Sequence, residues 1–183
     1  ADFLAMAGWL RGKEPKSKKK TPRPHQQQAL NQIVDAFEDE QRATALMACG
    51  TGKTLVGLWI AEQLDAKRVL MLVPSLALMR QTLDEWMHET RWEDVAFLCV
   101  CSDPTVKGED ALQMRAADMD FPVSTDSETV SSFLRKPYSG TKVIFSTYQS
   151  SPVVAQGMSK SAKFDIGIFD EAHKTAGRSG TRF

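Results

Sequence analysis

Two glycines around a threonine, followed at once by lysine and threonine, constrain this chain more than any other feature: Gly50-Thr51-Gly52-Lys53-Thr54. Glycines at this spacing let backbone N–H groups turn inward around phosphate oxygens, and a helix starting just after them adds the positive end of its dipole. The short apolar run 43–48 precedes the loop and the helix-like stretch 55–64 follows it, which predicts the strand–loop–helix context that such a loop needs. The candidate phosphate-binding residues are therefore Ala48, Cys49, Gly50, Thr51, Gly52, Lys53 and Thr54. Lys53 can reach the outer phosphates, and the Thr54 hydroxyl can take a place on Mg²⁺. Met47 stands where the common G-x-x-x-x-G-K-[ST] spacing has its first glycine.

A second signal lies 117 residues beyond Lys53, at Asp170. The compact apolar run from Phe164 to Asp170 predicts a strand buried on both faces of a parallel sheet. It ends in Asp170-Glu171-Ala172-His173. A carboxylate at the C-terminal edge of such a strand faces the crevice where open α/β sheets bind ligands. Asp170 is the candidate Mg²⁺ residue, and Glu171 the candidate to orient and polarise the water that attacks a γ-phosphate. The plainer reading is two acids solvating a strand end; the glycine loop upstream argues against it.

Between these landmarks the pattern alternates. Pro24 to Glu40 predicts a helix, with Ala29, Leu30, Ile33, Val34 and Phe37 on one face. Arg68 to Val73 predicts a strand, closed by Pro74, with Ser75 placed to cap a following helix. That helix carries an apolar stripe at Leu76, Met79, Leu83, Trp86 and Met87, which is core packing. Val95 to Cys101 predicts another strand. The stretch 102–141 is the longest irregular one, with Asp126 or Ser127 capping a short helix through Phe133 and Leu134. Strands alternating with helices predict a doubly wound, mainly parallel α/β sheet with helices on both faces and right-handed crossovers.

Five segments, in order, resemble the motifs of superfamily 2 helicases and translocases. They are Arg23-Pro24-His25-Gln26, Met47 to Thr54, Val73 to Gln81, Val143 to Gln149 and Asp170 to Gly177. The likeness is greatest to the DEAH-type motor domains of bacterial restriction systems. It implies a RecA-like P-loop NTPase lobe that uses ATP and Mg²⁺. Arg23 and Gln26 would lie at the adenine, and Lys53, Asp170, Glu171 and His173 would be catalytic, with His173 coupling the phosphate site to a second lobe. Pro74, Ser75, Gln81, Thr147 and Tyr148 would face the nucleic-acid track. No Thr-Gly-Gly-like segment follows the strand ending at Cys101; Cys101-Ser102-Asp103-Pro104 stands there instead.

The same resemblance implies that the chain is incomplete. Residues 1–22 read as a tail and basic linker from an upstream region, and residues 23–183 as the first lobe, truncated at its C-terminus. A strand expected between the loop strand and the DEAH strand would lie beyond it, as would the second lobe with its arginine fingers. The isolated chain is then expected to be nearly inactive. Double-stranded DNA is the expected partner in preference to RNA, with nuclease or specificity domains elsewhere. Other readings stay open from sequence: a nucleotide-dependent clamp without translocation, an RNA helicase, a phosphotransferase or a remnant that does not fold.

Composition narrows the class. With 42% hydrophobic and 25% charged residues the chain has the make-up of a globular domain. Its apolar runs fall short of the ~20 residues that cross a bilayer, and no secretory leader is recognisable. Cys49, Cys99 and Cys101 have neither metal spacing nor an even disulfide set, so a cytoplasmic location is expected. The zero net charge hides an asymmetry. Residues 1–23 hold seven Lys/Arg against two Asp/Glu, leaving 16 against 21 for the rest. Nucleic-acid contact is thus expected to be local. The run Lys16 to Lys20 either touches phosphates or is a solvated linker.

Overall fold

The computed structural model describes residues 19–48, 50–101, 123–158 and 163–172. Helix α1 (Pro24–Ala36) leads to the glycine loop and helix α2 (Lys53–Gln63). Strand β1 (Arg68–Val73), helix α3 (Leu76–Glu89) and strand β2 (Val95–Val100) follow. A two-residue strand β3 (Val123–Ser124) precedes helix α4 (Ser127–Arg135) and strand β4 (Thr141–Thr147). A 3₁₀ turn (Tyr148–Ser150), helix α5 (Ser151–Gly157) and strand β5 (Ile166–Phe169) complete the order. Among the described residues the sheet is five-stranded, in the order β3-β2-β4-β1-β5, and every pairing is parallel.

Alternation along the strands divides the core into two layers. Val69, Met71 and Val73 of β1, Phe97 and Cys99 of β2, and Val143 and Phe145 of β4 pack with α1, α2 and α3. Leu98, Val100 and Ile144 turn to the other face, against Val130, Phe133 and Leu134 of α4 and Val154 of α5. The stripe on α3 is buried as its spacing requires: Met79, Leu83 and Trp86 are fully covered. Trp86 meets Trp92 and Phe145 edge-on, at ring separations of 6.3 and 5.5 Å. Cys99 and Cys101 are buried free thiols on the same face, and burial pushes both up.

The caps follow the sequence. Ser75 Oγ accepts from the Leu78 amide at the start of α3, and Asp126 accepts from the amides of Glu128 and Thr129 at the start of α4. At the far end of α4 the buried Lys142 ammonium, reaching up from β4, donates to the carbonyls of Phe133 (2.6 Å), Leu134 (3.1 Å) and Lys136. It thereby serves carbonyls that the last helical turn leaves unpaired. Burial lowers its pKa, with the charges of Arg68 and Lys136 acting the same way.

Four expectations need correction. Residues 43–48 form no strand, and Leu46 is 95% exposed. A strand needs a ladder to join, and among the described residues β5 pairs only with β1, so its outer edge does not reach them. For the same reason β5 is an edge rather than a doubly buried strand, and Phe169 is 52% exposed. The basic run is described only at its end, Lys19 and Lys20, and that end is docked on this chain rather than solvated. Lys19 Nζ donates to the Thr90 carbonyl, the Lys20 amide to Glu89 Oε2 at 2.6 Å, and Lys20 Nζ lies 3.3 Å from Glu85 and 3.6 Å from Glu89. Lysines 19 and 20 thus fasten the chain to the C-terminus of α3, where cations are favoured. α1 also ends at Ala36, short of Glu40.

Candidate nucleotide site

The loop before α2 is held by its own backbone. Gly50 and Gly52 adopt φ of 75° and 81°, a left-handed conformation that costs other residues ~1–2 kcal/mol. Between them the Thr51 hydroxyl and amide both donate to the Ala48 carbonyl, at 2.7 and 3.4 Å. The amides of Leu55 and Val56 then close the first turn on the Gly52 carbonyl. From below, the buried Trp86 indole donates to the Thr54 carbonyl at 2.9 Å and ties the helix start to α3.

Gln26, 5% exposed in the first turn of α1, braces the loop from the other side. Its Oε1 accepts from the Arg23 amide and its Nε2 donates to the Thr51 carbonyl, both at 2.8 Å. The His25 ring lies 3.5 Å from the same carbonyl. The Arg23-Pro24-His25-Gln26 element thus sits directly against the glycine loop.

At the opposite wall the Asp170 amide extends the β5 ladder to the Leu72 carbonyl at 2.9 Å. The next residue, Glu171, takes a left-handed φ of 53°, unusual for a residue with a side chain. Its carboxylate lies 3.1 Å from Lys53 Nζ, with the two side chains 21% and 29% exposed. Loop and acidic edge therefore meet across one crevice, at the C-terminal ends of β1 and β5. The Tyr148 hydroxyl enters the same corner and donates to the Asp170 carbonyl at 2.7 Å. Burial, with Asp170 and Glu171 beside it, pushes this phenol up to about 12, so it stays a proton donor.

The remaining candidates fall unevenly. Pro74 is half-buried, and Ser75 and Gln81 are exposed, near the end of β1 that carries the crevice. Thr147, aligned with Val73 across the β1–β4 ladder, is buried, and its hydroxyl lies 2.9 Å from that of Ser150. The side chains of Thr147 and Tyr148 are thus given to the turn and to the acidic edge. Cys49 and His173 lie outside the described residues, as do 102–104. The contacts from Trp86 to Thr54 and from Tyr148 to Asp170 carry no motif that sequence reading could have used.

A parallel α/β sheet, a glycine loop opening a helix and an acidic strand end beside its lysine together define a P-loop nucleotide-binding domain. Residues 19–182 match the model of the type III restriction enzyme res subunit, and the chain belongs to that family. It is similar to the "Probable helicase A859L" of African swine fever virus (strain Badajoz 1971 Vero-adapted), 31% identical over 163 residues. That match covers 87% of this chain and 17% of the viral protein.

Among solved structures it resembles the ATP-dependent type ISP restriction-modification enzyme LlaBIII bound to DNA. There the TM-score is 0.76 at 32% identity, over 90% of this chain and 11% of that one. It also resembles a nuclease-deletion mutant of the type ISP enzyme LlaGI in complex with a DNA substrate mimic. In that case the TM-score is 0.69 at 32% identity, over 84% of this chain and 15% of that one. The chain is thus a RecA-like lobe of the superfamily 2 helicase type, close to restriction motor subunits. It spans about a sixth of the viral relative's length. Among the described residues no helix is long and apolar enough to cross a membrane.

Proposed function

We propose that this chain is the ATP-binding lobe of a DNA-dependent ATPase that moves along double-stranded DNA as part of a restriction or related system. The observation that carries the reading is the approach of Lys53 Nζ to the Glu171 carboxylate at 3.1 Å. It supports a triphosphate tail gripped between the glycine loop and the acidic edge. Thr54 and Asp170 offer a hydroxyl and a carboxylate, hard oxygen donors of the kind that hold Mg²⁺ together with phosphates and water. Bound there, Mg²⁺ would neutralise charge on the phosphate oxygens. Lys53 and the loop amides from Ala48 to Thr54 bind and orient the phosphates, and Glu171 holds the attacking water.

Arg23 and Gln26 take the adenine side. An amide oxygen accepts two hydrogen bonds and an amide nitrogen donates two, so bracing Thr51 leaves Gln26 capacity for a base edge. His173 couples the site to a second lobe. Pro74, Ser75 and Gln81 are the proposed DNA-backbone contacts; the inward geometry of Thr147 and Tyr148 favours supporting roles. Residues 23–183 form the first lobe, and the second lobe supplies the arginine finger, worth ~10³–10⁵ in rate.

Two measurements test this. MgATP titration of the 183-residue chain should detect weak binding that Lys53→Ala abolishes, with negligible turnover. ATPase of the intact protein should rise on adding duplex DNA. Binding indifferent to Lys53, or turnover of the isolated chain above a few per minute that Lys53→Ala abolishes, contradicts the proposal.

A further inference from the structure

The Asp170–Glu171 peptide is the hinge on which the acidic edge is aimed. Its carbonyl belongs to Asp170, and the left-handed φ of 53° at Glu171 follows directly from how that peptide plane is turned. A side chain from the 3₁₀ turn after β4 holds the plane: the Tyr148 hydroxyl, 2.7 Å from the Asp170 carbonyl oxygen. Tyr148 is braced in turn. The Ser151 hydroxyl donates to its carbonyl at 2.8 Å, and the preceding residue is fixed by the Thr147–Ser150 hydroxyl pair at 2.9 Å, both members buried. The Asp170 amide on the other side of the residue is held by Leu72. Asp170 is therefore clamped at both ends, by β1 through its amide and by the 3₁₀ turn after β4 through its carbonyl.

We infer that Tyr148 is a positioning residue for ATP hydrolysis: its hydroxyl fixes the Asp170–Glu171 peptide so that the Glu171 carboxylate faces the γ-phosphate. A left-handed non-glycine residue persists only when its surroundings over-determine it, and this bond is part of what does so here. Misplacing a water-orienting group by about an ångström can cost ~100-fold in rate. The inference rests on the proposed role of Glu171 in orienting water. It gives Tyr148 work inside the lobe, through Glu171, in place of a contact on the DNA surface.

The test is made in the intact protein with Tyr148→Phe, which keeps the ring and removes one hydroxyl. DNA-stimulated kcat should fall about tenfold while KM for MgATP and Kd for duplex DNA stay within about twofold. Amide exchange at Glu171 and Ala172 should accelerate. Glu171→Gln is run in parallel, and the double variant should be no slower than Glu171→Gln alone, because Tyr148 acts through Glu171. Unchanged kcat in Tyr148→Phe, beside a severe loss in Glu171→Gln, overturns the role of Tyr148 and leaves that of Glu171 standing. Full turnover in Glu171→Gln overturns the underlying reading instead. Weakened DNA binding in Tyr148→Phe, with kcat intact at saturating DNA, would make it a DNA contact and also overturns the inference.

Discussion

Gly52 and Gln26 are built around each other: a Cβ placed on Gly52 would stand 2.5 Å from Gln26 Nε2. The same residue holds a φ of 81°, so two independent reasons demand glycine there. Gly52→Ala would strain the loop and push the Gln26 amide off the Thr51 carbonyl. MgATP affinity should fall ~10-fold or more, equivalent to ~1.4 kcal/mol, with a lower melting temperature. Calorimetric titration and melting of the variant check this, and wild-type binding by Gly52→Ala would refute it.

Lys53 is paired with Glu171, so a bound phosphate would compete with that carboxylate for the ammonium. A pair with this much solvent access is worth ~0.2–1 kcal/mol, or a factor of ~1.5–5 in affinity. Glu171→Gln removes the competing charge and should tighten MgATP binding by about that factor, even as it slows turnover. Equilibrium titration with a fluorescent ATP analogue separates the two effects. Unchanged or weaker binding would show that the pair does not compete with nucleotide.

Much of this arrangement was legible in the residues. Arg68 to Val73 was readable to its ends because an apolar run stops against Pro74, and α3 because its stripe repeats at helical spacing. The loop and the acidic edge were legible as motifs, and the fold brings Lys53 and Glu171 together as those motifs require. What failed was what depends on neighbours. An apolar run such as 43–48 becomes a strand only when a ladder reaches it. β3 is two residues long and leaves no period to detect. The Tyr148 hydroxyl meets a backbone carbonyl 22 residues away, and a carbonyl has no sequence signature. Lysines 19 and 20 looked like a linker because their partners, Glu85, Glu89 and Thr90, lie some seventy residues on.

Glu89 makes that docking sensitive to acid. It is 3% exposed; burial raises its pKa, but the Lys20 amide, the His88 contact and the Lys20 charge together outweigh burial and hold it below 4.5. An acid whose folded pKa is depressed adds stability above its unfolded value and loses it as pH falls through the folded one. Melting temperature should therefore drop as pH is taken below 4.5. Glu89→Gln should melt lower at neutral pH and show a flatter acid limb. Parallel melting curves for the two proteins across that range would rule out this contribution.

Lys142 gives the last prediction, because it is a buried cation whose partners are backbone carbonyls rather than a carboxylate. Its ammonium serves the final turn of α4 from within the sheet, with the Phe133 ring 5.5 Å away. Lys142→Met keeps the apolar stem and deletes the donors, leaving the carbonyls of Phe133, Leu134 and Lys136 without them. Buried acceptors stripped of a partner cost ~1–3 kcal/mol, which should appear as a lower urea midpoint with an unchanged slope. Lys142 lies at the start of β4 and the crevice at its other end, so MgATP affinity should hold within about twofold, below ~0.5 kcal/mol. A variant as stable as wild type would mean that those carbonyls find water instead. One that loses nucleotide binding while still folded would mean that strain at α4 travels the length of β4 to the site.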